Sequence, residues 1–192
     1  MFAVALAAAS VACGDATVVD KFGLTRKELL ALARVDSFNP QSPVSFPVKN
    51  NQLTTVELRH TDPTGTLFAT FTFTPKSFVL ANGKLVCDTC TVTVTVSVAS
   101  RLYGFTVGPP DLGFNLAGTP TVVVSYGRYG DRSVFDSSAK YASPAEFESA
   151  LALWRELAPD VWNPARNSAH TGSGTIASGL DFPGAYLIAA PK

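Results

Sequence analysis

One pair of residues in the chain has the spacing of a metal-binding or redox motif. Cys87 and Cys90 lie three positions apart, and two thiolates at this spacing can share a zinc ion or cycle between dithiol and disulfide. A structural zinc site needs four ligands, and the candidates for the other two, His60 and His170, lie in separate segments without paired spacing. A redox pair would stand at the start of a helix, whereas this pair interrupts sequence of β type. A structural disulfide is therefore the preferred interpretation, with a redox pair and a metal site as alternatives.

Nucleophilic catalysis would have to rest on very few residues. The chain has two histidines, His60 and His170, so candidates for proton transfer near neutral pH are scarce. Ser173 follows His170 in the run HTGSGT, but a hydrolase elbow carries glycines two positions to either side of its serine, and here they stand directly beside it. The same loop lacks the lysine of a phosphate-binding loop. We therefore expect no catalytic residue, and a serine-dependent or metal-dependent hydrolase is kept as an alternative.

The run YGRYGDR is the candidate for contact with a partner. It carries Tyr126, Arg128, Tyr129 and Arg132, and the glycines between them favour a loop. Exposed aromatic and arginine side chains are enriched at binding hot spots, and loops often carry function. Aromatic residues of a β-rich chain also fill the core, which is the alternative role for the two tyrosines. A carbohydrate- or peptide-binding module would need these aromatics exposed on a concave face or in a cluster of loops.

The composition limits the kinds of partner. The 192 residues suit one domain with a short appendage. Charged residues make up 16% of the chain, and the basic and acidic residues balance at fifteen each. Nothing in this balance favours nucleic acid, anionic lipid or a strongly charged substrate. We expect no nucleic-acid partner, no cofactor and no metal ion, and the abundance of Thr, Val, Phe, Gly and Pro favours strands joined by tight turns.

Residues 1–13 have the features of a bacterial lipoprotein signal peptide. The apolar run at 2–12 is too short to cross a bilayer as a mature helix and is typical of a signal sequence. Small residues precede Cys13, and Gly14 and Asp15 follow it; this resembles a processing site at which the cysteine is acylated and becomes the new N-terminus. We therefore expect a lipid anchor at Cys13 and a position in the cell envelope, facing the periplasm or the surface. A plain secretory signal with an incidental cysteine is the alternative.

Export would also decide the state of the other thiols. With Cys13 acylated, Cys87 and Cys90 are left as an even pair, and an even pair in an oxidising compartment forms a disulfide by default. The compartment is thus the main support for the disulfide over the redox and metal alternatives.

Residues 14–51 are expected to form a tether that contains one short helix at 24–34. Thr25 can cap this helix and Glu28 can complete a capping box, while Leu29 and Leu32 belong to an apolar stripe. Three turns are marginal for an isolated helix, so this one must pack against the domain. Prolines and polar residues after Asp36 favour an extended, turn-rich stretch.

From residue 52 onward, alternating apolar and polar side chains predict a domain of strands. Strands are expected at 52–60, 66–74, 90–98, 102–107, 119–126 and 177–190. A turn at 62–65 joins the first two of these as a hairpin. The alternation is strictest at 90–98, where the valines face one way and Thr and Ser the other, as in a strand with one face on the core. Short strands at this spacing predict a mainly β fold, an antiparallel β-sandwich over 52–192.

One stretch before the last strand predicts a helix instead. At the start of 143–157, Ser143 can cap a helix, Pro144 suits its first turn and Glu146 completes a capping box. Apolar residues then recur on one helical face: Phe147, Ala150, Leu151, Trp154 and Leu157.

Two stretches of the chain follow the pattern of a known β-sandwich family. In SVASRLYGFTVGPPDLGFNLAGTPTVVVSYG a strand leads to a Gly-Pro turn, a Gly-Phe step, a proline-bearing connection and an apolar strand that ends in Tyr. The matching positions are Phe105, Gly108, Pro109, Leu112, Phe114, Pro120, Val122, Val124 and Tyr126. The C-terminal run from residue 151 has two tryptophans and a terminal aromatic strand, at Trp154, Trp162, Phe182, Tyr186 and Leu187. Both stretches resemble the ZU-five domain of ankyrins and netrin receptors, the second in its bacterial versions.

The resemblance implies a β-sandwich that serves binding or assembly and supplies no catalytic residues. It also implies a strand over part of 143–157, where the residues themselves predict helix; a helix that enters a strand near Leu151 would satisfy both. We therefore expect a lipid-anchored structural or interaction module that contacts the membrane through its lipid and binds a protein or another component of the cell envelope.

Overall fold

The structure, a computed structural model, describes residues 23–35, 38–137 and 140–192. The predicted signal peptide and Cys13 lie outside these residues. Within them the chain forms one α-helix, α1 (Pro144–Ala150), and 3₁₀ turns at Arg26–Glu28 and Ser133–Ser137. No helix in these ranges is long and apolar enough to cross a membrane.

The strands of the described residues are short and numerous. In chain order they are β1 (Leu29–Ala31), β2 (Ala33–Arg34), β3 (Val44–Lys49), β4 (Thr54–Arg59), β5 (Leu67–Phe73), β6 (Phe78–Ala81), β7 (Lys84–Leu85), β8 (Thr91–Val98), β9 (Gly104–Gly108), β10 (Gly113–Phe114), β11 (Thr121–Ser125), β12 (Gly130–Asp131), β13 (Ala152–Ala158), β14 (Val161–Pro164), β15 (Ala169–Gly172), β16 (Thr175–Gly179) and β17 (Gly184–Pro191).

Two antiparallel sheets make up most of the fold. The larger has seven strands in the order β14-β13-β17-β9-β8-β3, with β1 also paired to β17; the smaller has the order β15-β16-β11-β5-β4. A small sheet of β10-β6-β7 and the pair β12-β2 complete the strands of the described residues. The prediction of a mainly β, antiparallel fold with a helix ahead of the last strands is therefore confirmed, and so is the β4–β5 hairpin.

Aromatic rings from the two large sheets meet in the core. Phe71 of β5 contacts Phe105 of β9 edge to face, with ring centroids 5.1 Å apart, and Phe46 of β3 contacts Phe73 of β5 at 5.9 Å. Such pairs add about 0.5–1.5 kcal/mol to the free energy gained by burying the rings. On β8 the valines at positions 92, 94 and 96 are buried between the sheets while Thr91 and Thr93 are exposed, as the alternation predicts.

The predicted helix at 24–34 is wrong beyond its first turn. The carboxylate of Glu28 does accept the backbone N–H of Thr25 at 2.7 Å, so the cap exists, but only the 3₁₀ turn Arg26–Glu28 follows it. The next residues form β1 and β2, and Leu29, Leu30 and Leu32 are all buried. A three-turn helix would bury one apolar face, whereas a strand paired to β17 buries both faces and satisfies its backbone in the sheet.

Residues 143–157 contain both a helix and a strand. The Ser143 hydroxyl accepts the backbone N–H of Glu146 at 3.2 Å, and α1 then continues to Ala150. Leu151 has extended backbone angles, and β13 begins at the next residue. The helix predicted from the residues is correct for seven of them. The change from helix to strand near Leu151 agrees both with the helix that the residues predict and with the strand that the ZU-five resemblance implies.

Two predicted boundaries are corrected. The sheets begin at Leu29 and include β3, so the expected limit between tether and domain at residue 51 lies inside them. The predicted strand at 177–190 is two strands, β16 and β17, that belong to different sheets. The segment between them contains Pro183, which has no N–H to donate to a ladder.

Candidate functional site

The predicted contact loop at 126–132 is tied into the domain. Tyr126 is fully buried, and its hydroxyl donates to Glu148 Oε1 of α1 at 3.3 Å. Arg132 donates from Nε and Nη2 to the same carboxylate, at 2.9 and 3.1 Å, and its guanidinium lies 5.6 Å from the Tyr126 ring centroid. Two-pronged arginine–carboxylate pairs are among the strongest hydrogen-bonded contacts in proteins, so these two predicted contact residues hold α1 against the loop.

The Tyr126 hydroxyl also lies 3.3 Å from Nδ1 of His170 on β15. Burial, followed by the charge of Glu148, raises the pKa of Tyr126 above its usual range. The phenol therefore stays protonated at any physiological pH, and its hydroxyl, which donates to Glu148 and lies within hydrogen-bond distance of His170, links α1 to β15.

Arg128 is the most accessible member of the predicted contact set. Its side chain is exposed, its guanidinium lies 5.4 Å from the Tyr129 ring centroid, and Nη1 donates to Thr64 Oγ1 at 3.1 Å. The Tyr129 ring is half-buried and packs on His60 with centroids 4.7 Å apart. A contact between this loop and a partner therefore remains a prediction for Arg128 and the edge of Tyr129.

The structure does not join the histidines to Ser173. Nδ1 of His170 lies within hydrogen-bond distance of the Tyr126 hydroxyl. His60 is buried, and its Nδ1 lies 2.8 Å from the carbonyl oxygen of Phe38. Ser173 is exposed, and no hydrogen bond links it to either histidine within the described ranges. A serine nucleophile needs a base within hydrogen-bond reach, and that arrangement is not assembled at Ser173.

The two thiols at the end of the β6–β7 hairpin are bonded to each other. Cys87 and Cys90 form a disulfide with Cα atoms 5.1 Å apart, and it closes the turn that leads into β8. The buried side chain of Asn50 holds this turn on the domain, because Nδ2 donates to the carbonyls of Phe78 at 3.1 Å and Cys87 at 3.3 Å. Among the residues that the structure places, no three His, Cys, Asp or Glu side chains form a group that could hold a metal ion.

Reduction of this disulfide is expected to lower the free energy of unfolding by about 2 kcal/mol, because the closed ring is short. A chelator is expected to leave stability unchanged, whereas removal of a structural zinc ion would cost far more. Thermal unfolding of the purified chain, as isolated, with a reductant and with a chelator, measures both effects. A large loss with chelator, together with two free thiols by mass spectrometry, would contradict the disulfide.

The exposed apolar surface beside the disulfide was not predicted from the sequence. The β6–β7 hairpin turns at Asn82 and Gly83, both at positive φ, and its strands expose Val79, Leu80 and Leu85 at 39%, 40% and 85%. Leu80 and Leu85 are cross-strand partners. We name the pair Leu80 and Leu85 the hairpin patch; Val79 lies on the opposite face of the hairpin. The run FVLANGKLV contains more apolar residues than a solvent-facing hairpin needs. This excess of apolar residues is the feature of the sequence that indicates an exposed apolar surface.

Comparison with protein-family models, with curated proteins and with solved structures finds no match to this chain.

Proposed function

We propose that this protein is an extracytoplasmic, lipid-anchored interaction module without catalytic activity, and that it binds a partner protein through the hairpin patch. The observation that carries the proposal is the exposure of Leu80 and Leu85, which are cross-strand neighbours on one face of two adjacent strands, while Val79 is exposed on the opposite face. Single exposed apolar side chains are ordinary, whereas contiguous ones mark interaction sites.

The surroundings of the hairpin patch support a protein partner. Asn82 and Lys84 are exposed beside it, and an exposed ion pair joins Lys76 Nζ to Asp88 Oδ2 at 3.8 Å. An apolar centre with a polar and charged rim is the usual composition of a protein–protein interface. The ion pair itself contributes little to stability at this exposure. At the rim of an interface, such charges orient the partner and select against partners of the wrong charge.

The hairpin is also held in one conformation before any partner binds. The disulfide closes one end, the backbone N–H of Val86 donates to the Val79 carbonyl at 3.0 Å, and Asn50 anchors both flanks. A surface that is ordered in advance loses less conformational entropy on binding, which raises affinity for a given contact area.

The cellular setting of the proposal comes from the sequence. A signal peptide and acylation of Cys13 would place the domain outside the cytoplasm, where a disulfide such as Cys87–Cys90 forms and persists. The resemblance to the ZU-five domain implies binding or assembly as well, and fold resemblance by itself does not specify a partner.

Site-specific photocrosslinking tests the hairpin patch. With a photoreactive phenylalanine at Leu85 in the cells that produce the protein, we expect a discrete adduct, which the same group at exposed Thr106 on β9 should not form. Leu80→Asp should lower the adduct yield at least about tenfold, because a hot-spot residue contributes about 2 kcal/mol or more to binding. Equal adducts from both positions, no adduct, or an adduct that is insensitive to Leu80→Asp would overturn the proposal.

The anchor is tested on its own by detergent phase partitioning of the exported chain. The native chain should enter the detergent phase and Cys13→Ser the aqueous phase, because each buried CH₂ of an acyl chain contributes about 0.8 kcal/mol to membrane binding. Identical partitioning of the two would remove lipidation from the proposal.

A further inference from the structure

A cavity lies at the end of the sandwich where β13 and β17 run side by side. It has a volume of about 330 Å³, and its lining includes Leu112, Arg155, Leu157, Phe182, Pro183 and Tyr186. Arg155 and Tyr186 are register partners on the two strands. The residues of this cavity are distinct from those of the hairpin patch, and none of them belongs to the predicted contact loop.

Arg155 is the polar group of this cavity that has spare hydrogen-bonding capacity. Its side chain is only 16% exposed, yet within the described ranges its guanidinium donates no hydrogen bond. Buried polar groups are nearly always satisfied, and a guanidinium offers five N–H donors. Nη1 is the nitrogen closed off from solvent, so the donors on the other two nitrogens remain open to an acceptor that enters the cavity.

The nearest carboxylate does not fully compensate this charge. Asp181 Oδ2 lies 4.0 Å from Arg155 Nη1, beyond hydrogen-bond distance, and Asp181 Oδ1 lies 3.9 Å from Arg166 Nη1. Two guanidinium groups thus share one carboxylate. Glu156 also lines the cavity as a second carboxylate, and its Oε1 accepts the backbone N–H of Asp160 at 3.1 Å in the β13–β14 turn. The two arginines and the two carboxylates balance in charge, so the preference for an anionic acceptor comes from the open N–H donors of Arg155 and not from an excess of positive charge.

The remaining walls are apolar and held in place. Phe182 is 54% exposed, and its ring centroid lies 4.6 Å from the Arg155 guanidinium carbon. The Tyr186 hydroxyl donates to the Phe182 carbonyl at 2.6 Å, which fixes the backbone of that loop; burial raises the pKa of Tyr186 to about 12, so this donor keeps its proton. Leu157 is also exposed at the rim. An aromatic or branched group that enters the cavity would cover both exposed side chains.

We propose that this cavity binds a carboxylate attached to an aromatic or branched apolar group, with the carboxylate on Arg155 and the apolar group against Phe182 and Leu157. A volume of about 330 Å³ lies at the lower end of the roughly 300–1,000 Å³ of small-molecule sites, which is enough for a group of the size of one amino-acid residue. A free aryl or alkyl acid and the C-terminal residue of a peptide share this chemistry. The site goes beyond the proposed function, since it uses a different surface.

Binding of matched acids and amides tests this site on the purified full-length chain. The probes are N-acetyl-phenylalanine, N-acetyl-phenylalanine amide, and a tripeptide ending in phenylalanine with a free or an amidated terminus. Calorimetry should give each acid an affinity about tenfold or more above that of its amide, because a charge-assisted hydrogen bond would be lost in the amide. A tripeptide acid that binds about tenfold tighter than N-acetyl-phenylalanine identifies a peptide terminus as the ligand, and equal affinities identify a small acid.

Variants distinguish binding at this cavity from nonspecific attraction between the probes and the charge of the protein. Arg155→Gln should abolish the preference for acid over amide, Phe182→Ala should weaken both probes alike, and Arg128→Gln, which removes an exposed arginine elsewhere, should change neither. If Arg155→Gln fails to fold, as judged by its thermal unfolding, the same binding measurements are made on Arg155→Lys and Phe182→Ala instead. The inference is overturned if no probe binds, if acid and amide bind equally to the native chain, or if the preference survives Arg155→Gln. The hairpin patch is unaffected by any of these results.

Discussion

Replacement of Trp154 by alanine is expected to lower the free energy of unfolding by about 3 to 5 kcal/mol, the cost of removing a buried tryptophan. Trp154 lies on β13 and is buried with Trp162 and Leu187 in a second apolar cluster, separate from the main core. Its Nε1 donates to the carbonyl of Ala189 on β17 at 2.9 Å. Alanine would therefore leave a cavity and remove a hydrogen bond between two neighbouring strands.

Equilibrium unfolding in denaturant measures this loss. Trp154→Phe keeps most of the volume and removes the donor, so it separates packing from the hydrogen bond, which alone contributes about 1 kcal/mol. Phe182→Ala is the control, because it removes a large aromatic side chain from an exposed position and should cost less than about 1 kcal/mol. A loss below that value for Trp154→Ala, or red-shifted tryptophan fluorescence of the native chain that an added quencher readily quenches, would show that the cluster is not formed.

Gly174→Ala is expected to lower the free energy of unfolding by about 2 to 5 kcal/mol, through backbone strain and overpacking together. Gly174 has a φ of +71°, and a Cβ there would lie 2.3 Å from the Cα of Gly127. The carbonyl of Gly174 accepts the backbone N–H groups of Tyr126 at 2.7 Å and Gly127 at 3.0 Å. A side chain at this position would push the contact loop away from β15 and β16.

Gly83→Ala provides a matched control for the strain. Gly83 has nearly the same φ, +68°, but a Cβ there would meet nothing within 4 Å. Its substitution should cost only the left-handed backbone conformation, about 1 to 2 kcal/mol. Denaturant unfolding of the two variants under the same conditions gives the difference in their losses, which is the cost of the steric contact between the new Cβ and Gly127. Equal losses would mean that the approach of these two backbones is not tight.

Several features of this fold could be predicted because they depend on short-range pattern. The strict alternation at 90–98 specifies a strand with one buried face wherever the strand is placed. Ser143, Pro144 and Glu146 specify the start of α1, because a cap is made within one turn. A disulfide across three residues also needs no knowledge of distant parts of the chain.

Other features were decided by tertiary structure. The apolar run after Glu28 suits either helix or strand, and the free backbone groups along β17 made it a strand. Tyr126 has the sequence context of an exposed loop, yet packing against α1 and β15 buried it. Burial of a side chain depends on which segments fold over it, and local sequence does not contain that information.

The cavity at Arg155 is the clearest case of a feature that needed the fold. Arg155, Asp181 and Arg166 lie in different segments, and no short motif relates them. The pairing of β13 with β17 sets Arg155 opposite Tyr186 and brings Phe182 over its guanidinium. The sequence by itself determined the strand-rich class, the capped helix and the thiol pair, because neighbouring residues control backbone conformation. Only the tertiary structure decided which charged and apolar side chains meet, because those contacts follow from the register of strands far apart in the chain.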